Sequence, residues 1–98
     1  MTLRELFEAV KEKHLSKTLL EEYRDELSSL FAAIHLEMAD LEKAEALFIV
    51  ESKLSSDVAK KRVWNATPQG QRLIELKHYS KGAEKVLSSL KSRLYSVY

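Results

Sequence analysis

Apolar residues recur at alternating three- and four-residue intervals over most of the chain, a pattern typical of amphipathic helices. The repeat is most regular in the last third, where it runs unbroken for about three and a half heptads. Such a run predicts a long helix with a coiled-coil type of packing seam. The predicted seam consists of Leu73, Leu76, Ser80, Ala83, Leu87, Leu90, Leu94 and Val97.

A second long helix is predicted at residues 19 to about 53. Its apolar stripe comprises Leu20, Tyr23, Leu27, Leu30, Ile34, Met38, Leu41, Ala44 and Phe48. Further apolar residues widen this stripe, namely Leu36, Leu47, Ile49 and Val50. Because a wide apolar face needs more cover than one helix provides, we expect this helix to contact more than one neighbour.

Capping signals mark the beginnings of the first two helices. Thr2 followed by Glu5 has the spacing of a capping box, in which each side chain accepts a hydrogen bond from the other residue's backbone amide. It predicts a short first helix that reaches about residue 14. Thr18 and Glu21 have the same spacing and predict the start of the long helix at residue 19.

The stretch "KKRVWNATPQGQR", residues 60 to 72, interrupts the helical pattern. Ser55 or Ser56 predicts the cap of a short helix from residue 57 to about residue 65. Thr67-Pro68 then predicts the start of the last helix, with Thr67 as N-cap and a trans Pro68 at the first helical position. An alternative is that Thr67-Pro68 forms an accessible turn for a host prolyl isomerase, because X-Pro bonds populate both isomers when unconstrained.

The elements together predict an all-α fold. We find no strand pattern, so the expected architecture is an elongated helical hairpin of two long helices with two short helices. At 98 residues, the chain is expected to form one helical domain over residues 1–98.

Composition and the lengths of the apolar runs indicate whether the protein is secreted, membrane-bound or intracellular. The sequence contains no cysteine, which excludes disulfides and thiol chemistry. The longest purely apolar runs, residues 30–34 and 46–50, are too short to span a membrane. The charged N-terminal segment lacks the apolar stretch of a signal peptide. We therefore expect an intracellular protein without a membrane partner.

Charge is distributed unevenly between the two halves. Residues 1–50 hold six Lys or Arg against eleven Asp or Glu, and residues 51–98 hold ten against four. One interpretation is that the halves pack together and neutralise each other. The other is that the basic half faces nucleic acid or an acidic partner surface.

Catalysis and metal binding have no support in the sequence. His14, His35 and His78 are far apart and form no one-turn metal-binding pair. No serine lies in a pattern typical of a catalytic nucleophile. We therefore predict no catalytic residue, no metal site and no cofactor.

Cations and aromatic residues alternate in the basic half, as single-strand binding requires. The predicted partner-binding or DNA-binding residues are Lys60, Lys61, Arg62, Trp64, Arg72, Lys77 and Lys81. The alternative is a polar helix surface with Trp64 packed into the end of the hairpin.

The segment "VAKKRVWNATPQGQRLIELKHYSKGAEKVLSSLKSRLY" resembles small phage-encoded recombination accessory proteins. In this family an acidic amphipathic helix precedes a short basic helix and a long helix rich in Leu, Lys and Arg. The similarity covers residues 27 to 95. Two types within this family are candidates: the anti-RecBCD proteins of lambdoid Salmonella phages, and the UvsY type of recombination mediator. The anti-RecBCD type is favoured, since the chain is shorter than the UvsY type.

The resemblance implies a function without catalysis. An anti-RecBCD protein in the host cytoplasm would bind the RecBCD complex through its RecC subunit and redirect the single-stranded product towards the phage recombinase. One alternative is a UvsY-like mediator that binds single-stranded DNA and loads a recombinase. Another is a purely structural helical adaptor. Direct strand binding weakens steeply with salt, which separates it from apolar docking.

Overall fold

The computed structural model describes residues 1–97, with Val97 described as backbone alone. These residues form four helices, α1 (Leu3–Ala9), α2 (Lys17–Glu51), α3 (Asp57–Ala66) and α4 (Pro68–Val97), and no strand. The prediction of an all-α fold with two long and two short helices is confirmed. None of the helices in this described range combines the length and the apolarity that a membrane span requires.

The first helix begins as predicted and ends earlier. Thr2 and Glu5 form the capping box, with Thr2 Oγ1 accepting a hydrogen bond from the Glu5 amide at 3.2 Å. α1 nevertheless stops at Ala9 rather than near residue 14. The Arg93 guanidinium donates to the carbonyl oxygens of Val10 and Glu12, which a longer α1 would use for its own ladder.

The predicted N-cap of α2, Thr18, is wrong, and a different hydroxyl residue two positions earlier caps the helix. Ser16, not Thr18, caps the helix: its Oγ accepts a hydrogen bond from the Leu19 amide at 3.2 Å, and its carbonyl oxygen accepts one from the Leu20 amide. Thr18 therefore lies inside the first turn of α2, and no Thr18–Glu21 capping box forms. α3 begins as expected, with Ser56 Oγ accepting a hydrogen bond from the Ala59 amide at 3.1 Å.

The chain divides into two compact units, and both long helices contribute to each. The first unit contains residues 1–33 together with the described residues from 80 onward. Its buried core joins α1, α2 and α4 and consists of Leu6, Leu20, Leu27, Ala83, Leu87, Leu90 and Leu94. This core fits the sequence pattern because its members on α2 and α4 all lie on the predicted apolar stripes of those helices.

The second unit contains residues 34–79. Trp64 of α3 and Leu73 and Leu76 of α4 are its buried apolar residues. Phe48 of α2 packs against Trp64 with a ring-centroid distance of 5.6 Å and an interplanar angle of 51°, a tilted geometry that aromatic pairs favour. α2 thus meets α3 at the Trp64 ring, and Gly70 of α4 lies close to the Trp64 carbonyl oxygen.

The predicted seam of α4 is confirmed over its described side chains. Every seam residue from Leu73 to Leu94 is buried, including Ser80, and the Val97 side chain lies outside the described part. The main stripe of α2 is also turned inward, with Leu20 and Leu27 buried and the other members half-buried. Among the residues that widen that stripe, Leu36, Leu47 and Val50 are exposed and Ile49 is half-buried.

Candidate functional site

The candidate residues of the second unit lie on α3, on α4 and at the junction between them, a set that we call the basic corner. It comprises Lys60, Lys61, Arg62, Trp64, Thr67, Pro68, Arg72 and Lys77. Lys81, the remaining candidate, is exposed and belongs to the first unit. The structure therefore brings most, and not all, of the predicted residues into one unit.

A single residue, Thr67, connects α3 and α4. The Thr67 hydroxyl donates to the Trp64 carbonyl oxygen at 2.6 Å and accepts from the Gly70 amide at 3.0 Å. It therefore satisfies one backbone group at the end of α3 and one at the start of α4. Pro68 is exposed at the first position of α4, and no described peptide bond is cis. The predicted helix start is confirmed; the isomerase partner stays a prediction.

Arg72 is held by two carboxylates. Its guanidinium contacts Glu37 of α2 through Nε–Oε2 at 2.6 Å and Nη2–Oε1 at 3.1 Å, and its Nη1 contacts Glu75 Oε1 at 2.7 Å. Such a forked pair is the strongest geometry available to arginine. The hydrogen bond from Arg72 lowers the pKa of Glu37, and the same bond raises the pKa of Arg72.

Lysines of α3 are also paired. Lys61 Nζ lies 2.6 Å from Glu45 Oε1 on α2, and Lys60 Nζ lies 3.9 Å from Asp57 Oδ1 on its own helix. Together with Arg72, these contacts use acidic residues of the second unit to balance its cations. Within this unit, the interpretation that acidic and basic segments neutralise each other is the one that the geometry favours.

Trp64 does not form the exposed aromatic platform that single-strand binding needs. Its side chain is 1% exposed and lies against Phe48, so no base can stack on its ring in this structure. The structure favours the alternative of a packed Trp64, and a role of Trp64 in partner binding stays a prediction. Its indole Nε1 is buried without a hydrogen-bond partner, as is Glu45 Oε2.

Three candidate cations remain exposed and make no ion pair among residues 1–97: Arg62, Lys77 and Lys81. Lys77 follows Arg72 by five residues, which places the two about 140° apart around α4. Arg72 and Lys77 therefore do not share one side of α4.

Arg62 belongs to a surface that the sequence analysis did not identify. It lines an open depression with Asp57, Val58, Lys61 and Asn65, a set that we call the α3 face. Val58 is 69% exposed, so the face combines an apolar side chain with two cations and the carboxylate of Asp57. The spacing of Val58, Arg62 and Asn65, four and then three residues, is the signal that could have found it.

The α3 face is an exposed depression lined by residues of α3 alone. No group of three or more metal-ligating side chains forms within residues 1–97. Comparisons of the chain with protein-family models, with curated proteins and with solved structures found no match.

Proposed function

We propose that this chain is a non-enzymatic, phage-encoded modulator that binds the host RecBCD complex through its RecC subunit. In this proposal it redirects DNA-end processing towards phage homologous recombination. The choice of this partner depends on the resemblance described above. The choice of a protein partner, rather than DNA, depends on the α3 face.

The observation that carries the proposal is the exposed pair of Val58 and Arg62 on the α3 face. Arginine is enriched at protein–protein interfaces, and an exposed apolar side chain beside it offers surface that a protein partner can bury. Binding of single-stranded DNA instead requires stacked aromatic rings along a continuous positive groove. The burial of Trp64 and the pairing of Lys61 and Arg72 with carboxylates both weigh against that alternative.

Binding to purified RecBCD tests the proposal directly. The chain is titrated onto immobilised RecBCD and, separately, onto a labelled single-stranded oligonucleotide, each at several salt concentrations. We expect binding to RecBCD with a shallow salt dependence and no binding to the oligonucleotide. Strand binding that falls steeply with salt would instead support the UvsY-like mediator. Binding to neither would leave the structural adaptor as the better description.

Matched variants locate the contact. Val58→Asp places a charge in the α3 face, whereas Val63→Asp makes the same change at an exposed residue of α3 outside that face. Arg62→Glu and Lys53→Glu form a second pair, since Lys53 is an exposed cation outside the depression. We expect Val58→Asp and Arg62→Glu to weaken RecBCD binding at least about tenfold, as interface anchors do. The control variants should bind normally; equal losses in both members of a pair would exclude the α3 face.

A further inference from the structure

The outer side of α2 in the second unit carries a row of four exposed residues, Leu36, Asp40, Lys43 and Leu47, which we call the outer row. They follow one another at intervals of four, three and four, so they lie along one side of the helix. Leu36 is 70% exposed and Leu47 is 57% exposed. This is the spacing of a helix-packing seam, at positions that the described residues leave exposed.

The two charges of the outer row have no partner within the described chain. Asp40 and Lys43 make no ion pair or hydrogen bond among residues 1–97. Glu37 and Glu45, which lie on other sides of the same helix, are bound to Arg72 and Lys61. Opposite charges thus stand unpaired between two exposed leucines.

Read from either end, the outer row has the order apolar, charged, charged, apolar. Its two charged residues have opposite signs. Leu36 precedes Asp40 by four residues, and Leu47 follows Lys43 by four. If the α2 helix of a second copy runs antiparallel, with a twofold axis between residues 41 and 42, Leu36 faces Leu47 of that copy. Asp40 then faces Lys43 of that copy, and the symmetry makes each contact twice.

We propose that the outer row is the interface of a symmetric antiparallel dimer of this chain. A parallel, in-register pairing would place Asp40 opposite Asp40 and Lys43 opposite Lys43, and these like charges repel. The charges therefore select the antiparallel orientation. The outer row extends only about 17 Å along the helix, so the contact is small and we expect the dimer to be weak.

Sedimentation equilibrium of the purified chain, from low micromolar to near-millimolar concentration, tests the proposal without any other partner. The wild-type chain should change from monomer to dimer over this range. A chain that sediments as a monomer at every concentration would overturn the proposal. Because the experiment uses the chain alone, its outcome is independent of whether RecBCD is bound through the α3 face.

Charge reversals then identify the surface. Lys43→Asp should weaken the dimer at least about tenfold, since it converts two attractive contacts into two repulsive ones. Asp40→Lys should do the same. The double variant, Asp40→Lys with Lys43→Asp, restores opposite charges across the axis and should return the dimer to near wild-type strength. Glu42→Lys is the control, because Glu42 is exposed on α2 outside the outer row.

Mixing the two single variants is the most discriminating test of the proposed interface. The Lys43→Asp chain carries two acids in its outer row and the Asp40→Lys chain carries two bases, so each associates poorly with itself and well with the other. Heterodimers that exceed both homodimers in native mass spectrometry support the proposal. A dimer that tolerates Lys43→Asp, or a double variant as weak as the single ones, would overturn it. Circular dichroism confirms that each variant keeps its helices.

Discussion

The carbonyl oxygen of Trp64 occupies the space that a side chain at position 70 would need. A Cβ atom on Gly70 would lie 2.0 Å from this oxygen, far inside van der Waals contact. No described glycine has a positive φ, so the close approach of α3, rather than backbone conformation, requires glycine at this position.

Gly70→Ala should therefore destabilise the fold by about 1–3 kcal/mol or more, the usual cost of overpacking. Gly82→Ala is the matched control, because its Cβ would lie at an ordinary 3.4 Å from the Phe7 ring. In the interior of α4 this change should be neutral or stabilise by up to about 1 kcal/mol. Urea denaturation of both variants measures the difference, and equal stabilities would contradict the close contact.

Leu90 should contribute strongly to stability. Its side chain is 0% exposed in the core of the first unit, and truncation to alanine should cost about 2–5 kcal/mol. Leu36→Ala removes the same atoms from a side chain that is 70% exposed and should leave the free energy of unfolding of the monomer nearly unchanged. Thermal unfolding at low protein concentration compares the two; a Leu90→Ala chain that melts like wild type would mean that this seam is not a core.

The Glu37–Arg72 pair should make stability depend on pH. The hydrogen bond from Arg72 lowers the pKa of Glu37 below its ordinary value of 4.5. The folded state therefore binds this proton less readily than the unfolded state does. The stabilisation is fully present above the unfolded pKa and is lost as pH falls through the lowered folded pKa.

Glu37→Gln should cost up to about 1 kcal/mol at neutral pH, because the pair is largely exposed and screened by solvent. The difference from wild type should shrink in acid, where the wild-type carboxylate is also protonated. Glu42→Gln, at an exposed position without an ion pair among residues 1–97, should have no effect. Denaturation at neutral and acidic pH measures both variants, and a Glu37→Gln difference that persists in acid would show that the ion pair is not its cause.

Trp64 should report its burial in fluorescence. It is the only tryptophan of the chain, so the emission of the folded protein should be blue-shifted and weakly quenched by acrylamide. Unfolding should shift the emission to the red. Addition of single-stranded DNA should change neither property, since the ring is enclosed. Strong quenching in the folded state would restore the stacking hypothesis.

The regular parts of this fold could be predicted from sequence because their signals are local. The α4 seam required only the repeat of Leu73, Leu76, Leu87, Leu90 and Leu94, and all of these residues are buried. Thr67-Pro68 likewise specified the start of α4 without knowledge of the rest of the chain. Both signals depend only on residues that are close in the sequence. The helix start depends on the local backbone geometry at Thr67-Pro68, and the seam depends on the spacing of its leucines.

The predictions from sequence failed at two kinds of position. In one kind two local signals compete, and in the other a contact with a residue distant in the sequence determines the outcome. Ser16 and Thr18 offer equivalent hydroxyls within one turn, and the choice between them depends on where the chain enters α2. Arg72 meets Glu37, which is 35 residues away, so its neutralisation could not be derived from the run of basic residues. Whether Trp64 stacks on a base or packs in a core depends on Phe48, a residue of another helix.

Because Thr67 alone joins α3 to α4, the chain has no spare length at this junction. A residue inserted between Ala66 and Pro68 would rotate α4 by about 100° relative to α3. Leu73 and Leu76, now buried in the second unit, would then point to a different side, and the Thr67 hydroxyl could no longer serve both helices. Insertions and deletions should consequently be tolerated between α2 and α3, where residues 52–56 are not helical, and rejected at Thr67. Length at this position is as strictly constrained as residue identity.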